Sequence, residues 1–240
     1  MIRDIRALRR LIVPSRLEES LSLWRAAVRA LVDQYGAAAA SLAADSYDRQ
    51  RAGAGPPGRF SARLSSPVPE EQVTASLRWA TKDLWPTETV QAPFSVRLEE
   101  AERRAEGVAQ KLVADQARAT MRQSVQRDPG AVAYARAAAL GGCSFCKLLA
   151  SRGAVYKNAQ TAGRDSDERF TGDDSVVKFH DNCHCTIIPV FRGQSFELSA
   201  HAAEWDRLYR EYAQGHSGDQ LRLFRRALAE HDRHPLPAAH

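Results

Sequence analysis

No stretch of this 240-residue chain approaches the ~20 consecutive apolar residues that a membrane-spanning helix needs, so a membrane protein is not expected. The N-terminus has no uninterrupted apolar core either, because Arg3, Arg6, Arg9 and Arg10 break up its Ile and Leu residues. A secretion signal is therefore not expected, and a reducing compartment is. Lysine is scarce, five against 29 arginines, a bias that suits a GC-rich genome more than a selected surface. The net charge is only +5, although the first 30 residues carry seven Arg against three acids. That balance reads as a solvated surface with room for phosphate contacts, since guanidinium groups fit phosphate well. Two enzyme signatures are absent. No Gly-x-Ser-x-Gly elbow occurs for a serine hydrolase, and no His-x-Glu precedes a cysteine pair as zinc deaminases require. Ser195, His201 and Asp206 supply the residue types of a triad, but they read as loop and helix surface.

Cysteine is scarce too, with four residues, yet all four fall in one stretch. Cys143 and Cys146 lie in Gly-Gly-Cys-Ser-Phe-Cys, and Cys183 and Cys185 in His-Asp-Asn-Cys-His-Cys, led by His180. The pattern is C-x2-C, 33 residues, then H-x2-C-x-C. A chain of this length buries a core without cross-links, so disulfides are the weaker reading. A redox C-x2-C would not call for the distant second cluster. Two knuckles of soft ligands are what a tetrahedral Zn²⁺ needs. Six ligands compete for four places. The preferred set is Cys143, Cys146 and His180 with Cys183 or Cys185, and an all-cysteine set is the runner-up. His184, between two cysteines, is expected to point away. A filled set of four leaves no position for water and makes the ion structural.

The rest of the chain reads as helix. Ser15 and Glu18 have the spacing of a capping box after Pro14. Leu17, Leu21, Trp24, Val28, Leu31 and Tyr35 then line one face, and an Ala-rich continuation to Arg51 predicts a single helix of over 30 residues that could bend at Gly36. Gly53, Gly55, Pro56, Pro57 and Gly58 end it. A short helix starts at Pro69 with Val73, Leu77, Ala80 and Leu84 inward. Another opens after Ser95 with Leu98, Ala101, Ala105, Val108 and Leu112 inward, and stops at Asp128-Pro129. Ala131 to Leu140 reads as a further Ala-rich helical turn. Lys147 to Ala150 reads as another, whereas Ala154-Val155-Tyr156 and Thr186 to Phe191 read as strands and residues 160–175 as a loop. His201, Trp205, Leu208 and Tyr212, then Leu221, Phe224 and Leu228, mark two closing helices. Trp24, Trp79, Trp85 and Trp205 are expected to anchor helix packing. Arg222, Arg225 and Arg226 form a basic face that suits solvent and phosphate equally well. The fold expected is mainly α: a helical region over 1–140, a small α+β zinc-knuckle module over 141–196, and C-terminal helices with a tail over 197–240.

The run from Cys143 to Tyr156, with Phe-His-Asp-Asn-Cys-His-Cys-Thr-Ile-Ile-Pro-Val-Phe at 179–191, resembles the signature core of phage minor head proteins of the MuF type. That family shows C-x2-C, a Gly-x-Val-Tyr/Phe strand, then His-Pro-x-Cys-Arg-Cys-Thr. Here Asp181 replaces the usual Pro and His184 the usual Arg, with the spacing kept. The helix carrying Tyr35-Gly36, the Ala run and Tyr47-Asp48-Arg49 is similar to versions in phages of actinobacteria. The resemblance implies a non-enzymatic part in head morphogenesis. Its implied partners are the portal and major capsid proteins, with packaged DNA as a weak, non-specific contact. Its implied location is the capsid interior or portal vertex, with the host cytoplasm during assembly. The alternative class is a metal-dependent nuclease or capsid-processing enzyme, which would need an exposed metal carrying water.

Overall fold

The computed structural model describes residues 1–85, 87, 91–155 and 185–233. After a short helix, α1 (Ile2–Ala7), and two 3-10 turns, the first long element is α2 (Leu17–Ala54). Its inward face begins with Leu21, Trp24 and Val28 as the spacing predicts. It then moves to Val32, Gly36, Ala40 and Tyr47, leaving Leu31 and Tyr35 half-buried. A straight helix of 3.6 residues per turn drifts off a strict seven-residue repeat, so a stripe of alternating threes and fours cannot stay on one face for ten turns. Pro14–Arg16 forms a 3-10 turn ahead of α2. The hydroxyl that meets the backbone there belongs to Ser20, which accepts from the Val13 N–H at 3.1 Å and donates to the Leu17 carbonyl at 3.2 Å.

Two compact units divide the described residues. One comprises Met1–Asp45 and Arg63–Thr120; the other comprises Ser46–Ala62 and the described chain from Met121 onward. The dividing points lie inside α2 and inside α4 (Phe94–Arg127).

The first unit is a helical assembly of α1, α2, α3 (Glu70–Ala80) and α4. Val73, Leu77, Ala80 and Leu84 are all buried, as are the five apolar positions of the α4 stripe, and both sets join Leu21, Trp24 and Val28 in one core. Arg6 and Arg9 tie the N-terminal segment to α4 by ion pairs with Glu106 (2.7 Å) and Glu102 (2.9 Å). The Tyr35 hydroxyl donates to Asp4 at 2.6 Å. Trp79 departs from its expected anchoring role. It is 48% exposed, and the cations of Lys82 and Arg104 lie over its ring at 5.9 and 5.8 Å. Trp79 is one step off the Val73–Leu77–Ala80 face, and cation–π contacts stabilise it at the surface.

Gly36 does not break α2; the helix runs through it. Its role is proximity. A Cβ at this position would lie 2.2 Å from Oε1 and 3.2 Å from Cδ of the buried Gln116 on α4. Gly36→Leu is expected to destabilise the protein by about 1–3 kcal/mol, because a large side chain must push α4 away or force Gln116 out of its site. A chemical-denaturation midpoint equal to or above that of the wild type would show that the helices do not approach closely there.

In the second unit, Ala131–Ala137 forms a strand, β1, where local propensity favours helix. It pairs antiparallel with β2 (Thr186–Phe191), with Ala131 opposite Phe191 and Ala137 opposite Thr186 and an irregularity between Ala131 and Ala133. Tertiary pairing overrides the preference of alanine because the Asp128-Pro129-Gly130 turn has already ended α4 and the β-branched partner strand supplies a ladder. The helices α5 (Ser144–Ser151), α6 (Ala200–Tyr212) and α7 (Gln220–His231) complete this unit. Leu148 of α5, Trp205 and Leu208 of α6, and Phe224 and Leu228 of α7 share a core. Ser199 caps α6 by accepting the Ala202 N–H, and Gly215 and Gly218, at φ 87° and 93°, make the turn into α7. Among the described residues, no helix is long and apolar enough to cross a membrane.

Candidate metal centre

The end of the two-stranded sheet brings distant cysteines together. Because Ala137 is opposite Thr186, the residues just beyond that pair, Ala138 and Cys185, meet at the edge of the ladder. The chain then reverses through Ala139–Gly142, closed by the Gly142 N–H donating to the Ala139 carbonyl at 2.8 Å. A Cβ on Gly142 would lie 2.8 Å from that same oxygen, so the second glycine of Gly141-Gly142 is required by the turn. The reversal delivers Cys143 to the N-cap of α5, where its sulfur accepts the Cys146 N–H at 3.4 Å. A sulfur at a helix N-terminus, receiving a backbone N–H, is favoured in the anionic form that metals bind.

Cys146 and Cys185, both 2% exposed, pack in one cluster with Ala138, while Cys143 is exposed. None of these three is disulfide-bonded. Of the predicted residues, the structure thus places Cys143 and Cys146 at the start of α5 and packs Cys185 beside Cys146. His180 and Cys183 lie outside the described residues, as does His184. Among the described residues, no group of three or more His, Cys, Asp or Glu side chains is arranged to hold a metal ion. The thiol donors Cys143, Cys146 and Cys185 suit a soft divalent ion in their chemistry. The strand expected at Ala154-Val155-Tyr156 does not form at Ala154 and Val155, and Tyr156 lies outside the described residues.

A second polar centre escaped sequence reasoning. Asp128, at the end of α4, has a side chain with no solvent exposure. Its Oδ2 accepts from Arg51 Nε at 2.7 Å and from the Tyr47 hydroxyl at 3.0 Å. Its Oδ1 accepts from the Gly130 N–H at 2.8 Å and from Arg51 Nη2 at 3.4 Å. Arg51 also donates to the Gly58 carbonyl at 3.1 Å. Burial alone would raise the Asp128 pKa, but the hydrogen bonds from Arg51, Gly130 and Tyr47 outweigh it and hold the carboxyl below its ordinary value. Burial, reinforced by the Asp128 charge, pushes the Tyr47 phenol far up. Tyr47 also packs edge-to-face on Phe60 and Phe191, with centroids 5.7 and 5.4 Å apart. Every oxygen of the carboxylate is occupied, so this centre ties together α2, the loop at 57–58 and the turn into β1. Its sequence signal was a tyrosine and an arginine at i and i+4 on the inward face of α2, followed much later by an Asp-Pro-Gly turn.

A cleft of about 380 Å³ in the first unit is lined by Arg6, Arg9, Glu99, Glu102, Arg103 and Glu106. Arg6 and Arg9 already meet carboxylates there, so the cleft offers little uncompensated charge to a ligand.

A mainly helical body with a cysteine knuckle closing a two-stranded sheet defines the structural class. The family described as VG15 protein matches residues 1–213, and the chain belongs to this phage-associated family. No curated protein matches the chain, and no solved structure does.

Proposed function

We propose that this chain is a structural minor capsid or head-morphogenesis protein of a tailed phage, located at the portal and the head interior, with a structural Zn²⁺ in its cysteine knuckle. The observation that carries the reading is the phage-family match, which extends through the knuckle and both strands. The MuF-type motif at Cys143–Cys146 and His180–Cys185 gives it its finer form. The sheet-end geometry supports the metal. Cys143 and Cys146 offer two sulfurs from one turn, Cys185 lies beside Cys146, and His180 or Cys183 completes a set of four. Such a shell carries no open position for water, so the ion holds the sheet end and α5 together and does no catalysis. Long helices with whole exposed faces suit contact with a ring-shaped portal, and the major capsid protein is the second proposed partner. Co-expression with the portal and major capsid proteins of the same phage is expected to give a complex that co-elutes with the portal. The protein is also expected in purified virions in fewer copies than the capsid protein. Its absence from virions, with no portal or capsid association, would overturn the reading.

A further inference from the structure

The little charge that stays uncompensated in the cleft of the first unit is all of one sign. Arg6 is held by Glu106 through Nε (2.7 Å) and Nη2 (3.0 Å), and Arg9 by Glu102 Oε2 (2.9 Å). Arg103 is held by Glu100 through Nε (3.1 Å) and Nη2 (2.8 Å). Arg3 and Arg10, on the same segment as Arg6 and Arg9, do not line the cleft. Two acceptors remain. The second oxygen of Glu102, Oε1, is shut off from solvent and has no hydrogen-bond partner, while the side chain as a whole is 13% exposed and lines the cleft. Glu99 is exposed on the cleft wall and, among the described residues, meets no cation within ion-pair distance. The two are three residues apart on α4 and so share a face. A buried acceptor without a donor costs free energy. Burial raises the Glu102 carboxyl above its ordinary value, the charges of Glu106 and Glu99 add to this, and Arg9 offsets only part of it. What this wall of the cleft lacks is a positive charge.

We propose that this cleft binds a primary ammonium group between Glu99 and Glu102. Its volume of about 380 Å³ is within the range of small-ligand sites and holds a short alkyl stem behind the charged head. The three N–H donors of an alkylammonium match the three unengaged oxygens, both on Glu99 and Oε1 on Glu102. The terminal carboxyl torsion of a glutamate is soft, so a turn about it presents Oε1 to the ligand. Other cations fit less well. A guanidinium takes both oxygens of one carboxylate in its fork, but Arg9 already holds one oxygen of Glu102, and a fork on Glu99 would leave Oε1 unpaired. A hard divalent ion asks for at least about six oxygens and would meet the guanidinium groups of Arg6, Arg9 and Arg103 on the same walls. The ammonium has two sources, a free alkylamine or a lysine side chain of a protein. The site is separate from the cysteine knuckle and from the portal and capsid contacts proposed above.

Amide NMR of the full chain at low salt, titrated with n-butylammonium chloride, tests this. Saturable shifts are expected at the amides of residues 99–106 and of Arg6 and Arg9, and none with n-butanol, which has the stem without the charge. Glu99→Gln and Glu102→Gln are each expected to weaken binding about tenfold, the loss of one hydrogen bond to a charged group. Glu99 is exposed, so its variant keeps the fold and carries the test by itself if Glu102→Gln does not fold. Glu71→Gln on α3, outside the cleft, serves as the control and is expected to leave binding unchanged. Capped lysine (Nα-acetyl-lysine N-methylamide) binding at least as tightly as n-butylammonium assigns the site to a protein side chain. Binding of n-butylammonium without capped lysine assigns it to a free amine. Absence of saturable shifts would overturn the proposal, as would equal shifts from n-butanol or an affinity untouched by Glu99→Gln. Displacement of n-butylammonium by an equal concentration of Ca²⁺ would overturn it too and make the cleft a metal site.

Discussion

Replacing Asp128 by Asn is expected to destabilise the second unit by about 3–5 kcal/mol, the usual cost of removing one partner from a buried ion pair. The side chain of Arg51 is 11% exposed and would be left as a charge without its carboxylate. The amide would also present an N–H₂ group where Oδ1 or Oδ2 now accepts two hydrogen bonds. Tyr47→Phe should cost only about 1 kcal/mol, since it removes one hydrogen bond and keeps the ring packing on Phe60 and Phe191. Combining Arg51→Leu with Asp128→Leu should cost less than the sum of the two single changes, because the double variant leaves no buried charge. Denaturant midpoints of these variants check the order. If Asp128→Asn lies within about 0.5 kcal/mol of wild type, on the order of a neutral surface change, the buried centre is not a stabilising tie.

The same centre predicts a pH dependence. The folded pKa of Asp128 lies below the ordinary carboxyl value of 3.8 that applies when the chain is unfolded. The unfolded state therefore takes up the proton first as pH falls. The contribution of Asp128 is fully present above that value and is lost progressively as pH drops through the lower folded value. In Asp128→Asn this part of the acid-range slope should be missing, which denaturation at a series of acid pH values would show.

Removal of metal is the second change expected to have a large effect. Protein purified without a histidine tag should contain one zinc per chain, with X-ray absorption showing four sulfur or nitrogen ligands. Structural zinc contributes about 10–16 kcal/mol of apparent binding energy in small fingers, more than a domain can lose and stay folded. Cys146→Ser, or chelation, should therefore remove hydrogen-exchange protection from α5 and from the Ala137–Thr186 end of the sheet. The first unit, whose core is separate, should keep its protection. His180→Ala separates the two ligand sets: zinc retained means four cysteines, and zinc lost means that His180 is a ligand. Absence of zinc in the wild type, or full protection of α5 in a zinc-free Cys146→Ser protein, would defeat the structural-metal reading.

What was legible in the sequence was what depends on near neighbours. The stripes Val73–Leu77–Ala80–Leu84 and Leu98–Ala101–Ala105–Val108–Leu112 are buried as written, because a 3.6-residue period is a local property and any core that receives the helix must take that face. The glycine and proline breaks, the helical turn after Cys143 and the β-branched strand Thr186–Phe191 belong to the same class. The cysteine spacing by itself named the candidate ligands. Tertiary structure alone decided the rest. Ala131–Ala137 is a strand because Thr186–Phe191 lies beside it, and alanine carries no sign of a partner so far along the chain. Gly36 is a point of close approach because Gln116 stands opposite, Trp79 faces solvent under two cations, and Tyr47, Arg51 and Asp128 converge from separate elements. Periodicity reports which face of an element is buried. Which polar group meets which, and whether an alanine run pairs or coils, depends on what the rest of the chain brings to that face.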